Sequence, residues 1–242
     1  MNDKIATLLA DLNRKFYDTF ADVFAASRAS TEPGLERVLC EVASGDRVLD
    51  LGCGQGRLAA LLPAGTVYTG LDYSPEMLRI AATNAVDGGV KVQFVQADLT
   101  GETWDLALRT GYDWIILRAV LHHIPACDSR LAVLRRAKRL LAPGGRVVVA
   151  NWQFMKIARL RQRVVPWSVL GLQDSDVETG DYLLDWQREG HGLRYVHLIS
   201  EAEMHSLADA AGFTVVRLFY ADGHTNDLTL YAVLERIATS GV

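Results

Sequence analysis

Three glycines at alternate positions, Gly52, Gly54 and Gly56, follow the apolar run Arg47-Val48-Leu49-Asp50-Leu51. A backbone bare at every second residue can turn sharply and lie against a ligand. The run ahead of them reads as a buried parallel strand and the residues after Arg57 as a helix. That places the loop at the carboxyl end of a strand, where open α/β sheets bind nucleotides. The spacing is GxGxG, against the GxGxxG of dinucleotide folds, which disfavours a nicotinamide-linked dehydrogenase. Asp72 closes a second strand-like run, about 20 residues beyond the loop, where an acid accepts hydrogen bonds from ribose hydroxyls. As a ligand contact and not a core group, Asp72 should be replaceable with little loss of fold. Asp98 closes a third run and can meet an adenine amino group, with Leu99 packing on the ring.

A second set of residues suits a group-transfer acceptor. His122 and His123 follow the run Tyr112–Arg118, and either is placed to act as a general base for a hydroxyl or amine. An acceptor that is already an anion needs no base but needs a cation to orient it; Arg118, Arg194 and His123 are the candidates. Lys156, Arg159, Arg161 and Arg163, with Trp152 and Trp167 nearby, suit either a nucleic-acid contact with stacked indoles or the solvated face of a lid helix. Arg135, Arg136, Lys138 and Arg139 read as the outer face of a sheet-covering helix, and His197 as a satisfied strand histidine.

The elements that must position these groups follow from hydrophobic periodicity. Ile5, Leu8, Leu9, Leu12, Phe16, Phe20, Val23 and Phe24 fall at helical spacing, and a second helix covers Leu35 to Val42. Strands are expected at 47–51, 66–72, 90–96, 112–118 and 146–151. Helices are expected at 57–62, 75–84 (capped by Ser74 with Pro75 in the first turn) and 128–141. This alternation implies βαβ units and a parallel sheet. Phe213–Tyr220 and Leu228–Glu235 read as a hairpin that closes the sheet with an antiparallel edge. The chain divides as one domain of 242 residues: a helical cap (1–44), a binding core (45–151), an irregular lid or substrate segment (152–200), and a terminal helix with the hairpin (201–242).

Composition removes other classes. Twenty-five Lys and Arg against 29 Asp and Glu give a net charge of −4, which excludes a strongly basic chain that coats nucleic acid. Cys40, Cys53 and Cys127 are far apart, so neither a zinc cluster nor a disulfide framework is expected. No apolar run of membrane-spanning length and no leader pattern is visible, and the expectation is a cytoplasmic protein without a membrane partner.

Taken together, Val48–Gly56, Leu71-Asp72-Tyr73-Ser74-Pro75-Glu76-Met77-Leu78, Ala97-Asp98-Leu99, Arg118–Ile124 and Leu140–Gly145 resemble the class I S-adenosylmethionine-dependent methyltransferases over residues 46–151. The resemblance implies a Rossmann-like α/β fold, a seven-stranded sheet of order 3-2-1-4-5-7-6 with strand 7 antiparallel. S-adenosylmethionine is implied as cofactor and S-adenosylhomocysteine as product. It puts Gly52, Gly54 and Gly56 at the methionine moiety, with Asp50 and Cys53 in the same cofactor-binding run. Asp72 falls to the ribose; Tyr73, Met77, Asp98 and Leu99 fall to adenine; and the segment from Arg118 runs beneath the methionine portion. Phe16–Arg28 resembles a cap helix in which Tyr17 and Arg28 reach the cofactor carboxylate. That stretch, with Asp181-Tyr182 and Arg194–Ile199, is similar to the tRNA methyltransferases that esterify a carboxymethyl group on the wobble uridine. The acceptor is therefore expected to be a tRNA or, alternatively, a small metabolite, and the resemblance is compatible with a small activator subunit or a homodimer.

Overall fold

Short runs rich in Val, Leu and Ile, buried on both faces, pair into the parallel part of a sheet. The computed structural model describes residues 1–21, 32–84, 88–187 and 190–237. β1 (Arg47–Leu51), β2 (Val67–Asp72), β3 (Lys91–Gln96), β4 (Tyr112–Arg118) and β5 (Leu141–Trp152) are parallel neighbours. The sheet is completed by β9 (Phe213–Ala221) and β10 (Thr229–Arg236) in the order β3-β2-β1-β4-β5-β10-β9. β10 runs antiparallel to both β5 and β9, as the tail hairpin and the resemblance implied. Helices α2 (Pro33–Leu39), α3 (Pro75–Asn84), α4 (Cys127–Leu140) and α6 (Glu201–Ala211) surround it. One apolar cluster joins α4 and α6 to one face, and another joins α2 to the opposite face.

Local chemistry adjusts the expected boundaries. Arg57–Leu61 winds as a 3-10 helix and not an α-helix, entered through Gly56 at φ +72°. β5 begins at Leu141, five residues earlier than the apolar pattern suggests. Tyr112 pairs with Leu141 and a register shift follows, so Pro143-Gly144-Gly145 bulges within the strand. A Cβ on Gly145 would lie 2.7 Å from the Tyr112 carbonyl oxygen, which is why the bulge carries glycine.

The segment expected to be an irregular lid is a second sheet. After the one-turn helix α5 (Ala158–Arg161), β6 (Val164–Val165), β7 (Asp181–Trp186) and β8 (Gly192–His197) pair antiparallel. Its cover is α1 (Asp3–Thr19), capped by Asn2, whose side chain accepts the Ile5 N–H at 3.0 Å. The apolar stripe of α1 packs on it: Leu9 against Trp167, Leu183 and Tyr195, and Phe16 and Phe20 against Trp186. Trp167 is thus a core residue, and its expected role as a stacking platform for bases is corrected. All three cysteines are free thiols. No described helix is long and apolar enough to cross a membrane.

Candidate active site: a cleft between the glycine loop and the N-terminal helix

The carboxyl ends of β1, β2 and β4 open into a cleft that α1 roofs, enclosing about 1070 Å³ with its open mouth included. Its floor is the glycine loop. Gly52 N–H and Cys53 N–H both donate to the Leu71 carbonyl, at 2.7 and 2.9 Å. Gly52 sits at φ +72°, where a Cβ would be 2.4 Å from the Val120 side chain. Gly54, at φ +53°, has nothing within 4 Å of its missing Cβ, so the backbone there lies open to a ligand. Cys53 is buried, and burial pushes its thiol far up, so it is a packing residue and not a nucleophile.

Asp72 does more than wait for a ribose. Its Oδ2 accepts the Gly54 N–H at 2.8 Å and its Oδ1 accepts the Ser74 N–H at 3.0 Å. It is 8% exposed, and burial raises its carboxyl against the pull of those N–H donors. The expectation that it is dispensable to the fold is corrected: the acid ties the loop to the start of α3. Each carboxylate oxygen keeps a second lone pair, so both can still take a hydroxyl.

Asp50 lies beneath the loop and does not line the cleft. Its Oδ2 accepts the Tyr68 hydroxyl at 2.9 Å, while the buried Oδ1 has no hydrogen-bond partner among the described residues. Burial pushes its carboxyl up to about 6, opposed by the Arg118 charge and the Tyr68 hydrogen bond. Arg118 lines the cleft and donates to Glu32 Oε1 at 2.9 Å. Its charged neighbours are Glu32 and Asp50, which puts it with the loop.

At the far end of the cleft Asp98 Oδ1 accepts the Thr100 N–H and hydroxyl, at 2.9 and 2.8 Å. Its Oδ2 pairs with Arg14, a residue the sequence did not single out. Arg14 also donates to the Thr100 hydroxyl at 2.8 Å, and the Tyr73 hydroxyl donates to the Arg14 carbonyl at 3.2 Å. Met77 and Leu99 complete this wall. The polar rim and apolar floor suit a purine with its ribose, and the open Gly54 backbone and orphaned Asp50 oxygen suit an amino-acid moiety beside it. The residues fit S-adenosylmethionine.

The third corner is lined by Tyr17 and His123, with Arg194 buried behind Tyr17 and outside the lining. The Nδ1 of His123 lies 3.1 Å from the Tyr195 carbonyl oxygen, which only accepts, so Nδ1 carries the proton. Its Nε2 then accepts the Tyr17 hydroxyl at 2.8 Å. The Tyr17 hydroxyl also lies beside Arg194 and favours its charge. Arg194 is buried among three aromatic faces, with its guanidinium carbon 4.8 Å from the Trp152 ring centre, 5.5 Å from Phe16 and 5.7 Å from Trp186. Among the described residues no carboxylate pairs with it. Burial lowers its affinity for the proton, and the neighbouring charge of Arg163 adds to that. His122, by contrast, is fully buried, and its Nδ1 accepts the Trp152 N–H at 3.3 Å. Arg28, expected to reach the cofactor carboxylate, lies outside the described residues.

His197 is a satisfied histidine, as expected. Its Nδ1 is 2.6 Å from Asp181 Oδ1 and its Nε2 is 2.8 Å from Glu203 Oε1. Of the basic cluster, Lys156 faces Asp227 at 3.8 Å and Arg161 donates to the Met155 carbonyl at 2.9 Å.

Against known proteins, a family model described as a methyltransferase domain matches residues 17–218. The chain belongs to this methyltransferase family. It is 36% identical over 104 residues to the ubiquinone biosynthesis O-methyltransferase of Vibrio vulnificus, a match covering 43% of this chain and 42% of that protein, less than half of the relative's length. Two solved structures share the fold. A SAM-dependent methyltransferase from Methanosarcina mazei superposes with a TM-score of 0.65 at 20% identity, over 84% of this chain and 98% of that one. A Burkholderia thailandensis 1,6-didemethyltoxoflavin-N1-methyltransferase, with bound 1,6-didemethyltoxoflavin and S-adenosylhomocysteine, gives 0.62 at 20% identity over 97% and 90%.

Proposed function

We propose that this methyltransferase-family chain moves a methyl group from S-adenosylmethionine to a carboxylate on a planar acceptor. The observation that carries the reading is Arg194. A buried cation with no acid beside it among the described residues costs several kcal/mol, only part of which three aromatic faces return. An anionic ligand reaching past Tyr17 from the cleft would supply the missing partner, in the bidentate geometry a guanidinium favours.

The corner's hydrogen bonds fit the same chemistry. The His123 Nε2 lone pair is already taken by Tyr17, so the site is built to orient an anion and not to strip a proton. When bound, S-adenosylmethionine would supply a sulfonium methyl, whose carbon bonds to an anionic oxygen in line as its C–S bond breaks, giving a methyl ester and S-adenosylhomocysteine. Gly52, Gly54 and Asp72 would hold the cofactor, Tyr73, Asp98 and Leu99 its adenine, and Arg118 its charged amino-acid end, with Asp50 supporting the loop from beneath. Arg194 would align the acceptor oxygen, and Trp152 and Trp186 would flank its plane. Fixing both partners at near-attack distance and excluding water is the protein's main contribution to such a displacement.

The carboxymethyl group of a tRNA wobble uridine has this chemistry, and the run Arg194–Ile199 resembles enzymes that use it. A small carboxylic acid is the second reading. The net charge of −4 favours it, as does the pairing of Lys156 with Asp227, which leaves fewer free cations for a phosphate backbone. The test is incubation with methyl-labelled S-adenosylmethionine and, in parallel, saponified tRNA carrying free carboxymethyluridine or a panel of aromatic carboxylic acids. Label released as methanol by mild alkali identifies an ester. Alkali-stable label would replace the carboxylate by a hydroxyl or amine acceptor. Uptake into tRNA that does not weaken steeply with salt would remove the backbone contact from the reading.

A further inference from the structure

Asn13 lies midway along α1, on the stripe formed by Leu9, Leu12 and Phe16, and is buried. Asparagine is a poor helix-interior residue, and a buried amide must find partners for its oxygen and both N–H bonds. Asn13 finds all three across two other segments. Its Oδ1 accepts the Tyr195 N–H at 2.8 Å. Its Nδ2 donates to the Tyr195 carbonyl at 3.1 Å and to the His123 carbonyl at 3.1 Å. The side chain therefore grips the backbone of Tyr195 at both its polar atoms, as a neighbouring strand would.

That grip falls on two groups of the acceptor corner. The Tyr195 carbonyl held by Asn13 is the one that accepts the His123 Nδ1 proton, and Tyr195 directly follows Arg194. Tyr17 lies one helical turn beyond Asn13 and meets both His123 and Arg194. One amide thus sets the spacing of the three segments that carry Tyr17, His123 and Arg194, and fixes the carbonyl that selects the imidazole tautomer.

We propose that Asn13 is a positioning residue for methyl transfer, acting through the Tyr195 backbone to lock His123 with its proton on Nδ1 and to seat Arg194 against Tyr17. The inference rests on the reading of that corner as acceptor-facing. Asn13 lines the cleft, but its amide is spent wholly on the Tyr195 and His123 backbone, so its loss acts first on the acceptor side.

The test uses the full chain with ¹⁵N-labelled histidine, as wild type, Asn13→Asp and Asn13→Ser. Asn13→Asp keeps the volume and the acceptor for Tyr195 N–H but removes both donors. Asn13→Ser keeps one donor and one acceptor, and serves if the aspartate does not fold. The wild type should show His123 protonated at Nδ1 alone. The variants should show mixed tautomers, while affinity for S-adenosylhomocysteine by calorimetry stays unchanged and methylation of saponified tRNA or an aromatic acid falls about 100-fold, the scale of an ångström of misplacement. A single unchanged tautomer with full turnover overturns the proposal. Equal loss of cofactor affinity and turnover also overturns it, since that is what a general structural role would produce. A wild type inactive on every carboxylate, with tautomer mixing still seen in the variants, retires the acceptor reading and leaves the positioning link standing.

Discussion

The hydroxyl of Tyr17 donates to His123 Nε2 at 2.8 Å, and the same ring stands edge-on to that imidazole with centroids 5.5 Å apart. This contact joins the N-terminal helix to the loop after β4 along the wall of the cleft. Tyr17 also lies beside Arg194, so it stands between the imidazole and a cation. Tyr17→Phe should keep the packing with Phe16 and leave cofactor affinity unchanged. Turnover should fall about 5- to 10-fold, the worth of one hydrogen bond of about 1–1.5 kcal/mol to the His123 ring. Steady-state kinetics beside calorimetric titration with S-adenosylhomocysteine separates the two, and a loss confined to cofactor affinity would move Tyr17 to the cofactor's carboxylate.

Asp72 should prove both a ligand and a structural group. Asp72→Ala leaves the buried N–H of Ser74 without its acceptor, at about 1–3 kcal/mol, and the half-buried N–H of Gly54 likewise at a smaller cost. A drop of several kcal/mol in unfolding free energy is expected together with loss of cofactor binding. Asp72→Asn is the sharper variant. Its amide oxygen can still accept one of the two N–H groups, so much of the stability should return. Cofactor affinity should stay low, because a carboxylate accepts both ribose hydroxyls and an amide does not. Urea unfolding and calorimetry on the two variants check this; full stability in Asp72→Ala would show that the loop holds itself.

The way Asp72 was read from sequence shows where legibility ends. The alternation of strands and helices, the GxGxG loop and the acids closing β2 and β3 follow from periodicity and spacing, and the structure gathers Gly54, Asp72 and Asp98 into one cleft. Spacing along the chain carries no record of which N–H a carboxylate will meet across a turn, so the double role of Asp72 was invisible. Residues 152–200 looked irregular because their strands are short and interrupted by Trp and Arg. Those residues are spent on a tertiary contact with α1, and local pattern cannot report that. Asn13 did leave a signal: a lone amide on an otherwise apolar helical stripe. Arg14 left none, since an arginine beside that stripe reads as a solvated charge until Asp98 is brought to it.

Asp50 predicts a pH dependence of stability. Its carboxyl is raised from 3.8 to about 6 in the folded chain, chiefly by burial. Between those values the folded state binds more protons than the unfolded state, so stability falls as pH rises through the window, by about 1.4 kcal/mol per pH unit at most, and levels off above it. Asp50→Asn removes that slope. Unfolding free energies at pH 4.5 and pH 7 should differ by about 2 kcal/mol more in the wild type than in the variant. Identical slopes would mean that Asp50 is solvated in the folded chain.

His197 contributes with the opposite carrier of charge. Its pKa is raised because Asp181 and Glu203 hydrogen-bond both ring nitrogens, which outweighs the desolvation of a buried ring. A raised histidine gives stability that is fully present below its unfolded value near 6.5 and is lost as pH climbs through the folded value. The His197→Gln chain should be less stable than wild type at pH 6, with the gap narrowing towards alkaline pH. Parallel denaturation series at pH 6 and pH 8.5 measure it, and a constant gap would assign His197 to packing alone.

Arg194 gives the prediction in which function and stability part. Its charge is buried beside three aromatic rings with no acidic partner among the described residues, and Arg163 adds a like charge nearby. Replacing a buried ion by an apolar side chain of similar length removes the desolvation cost and often stabilises by about 1–4 kcal/mol. Methionine keeps the unbranched stem and can stay among Phe16, Trp152 and Trp186. Arg194→Met should therefore unfold at higher urea concentration than wild type and bind S-adenosylhomocysteine equally well. Turnover on a carboxylate acceptor should nevertheless fall about 10- to 100-fold, because a charge-assisted hydrogen bond of about 1.5–3 kcal/mol to the acceptor is gone. Thermal melts, calorimetry and single-turnover rates on one preparation decide it. A variant less stable than wild type would make Arg194 a structural cation whose partners lie within the fold; one equally active would take the acceptor's charge away from this corner.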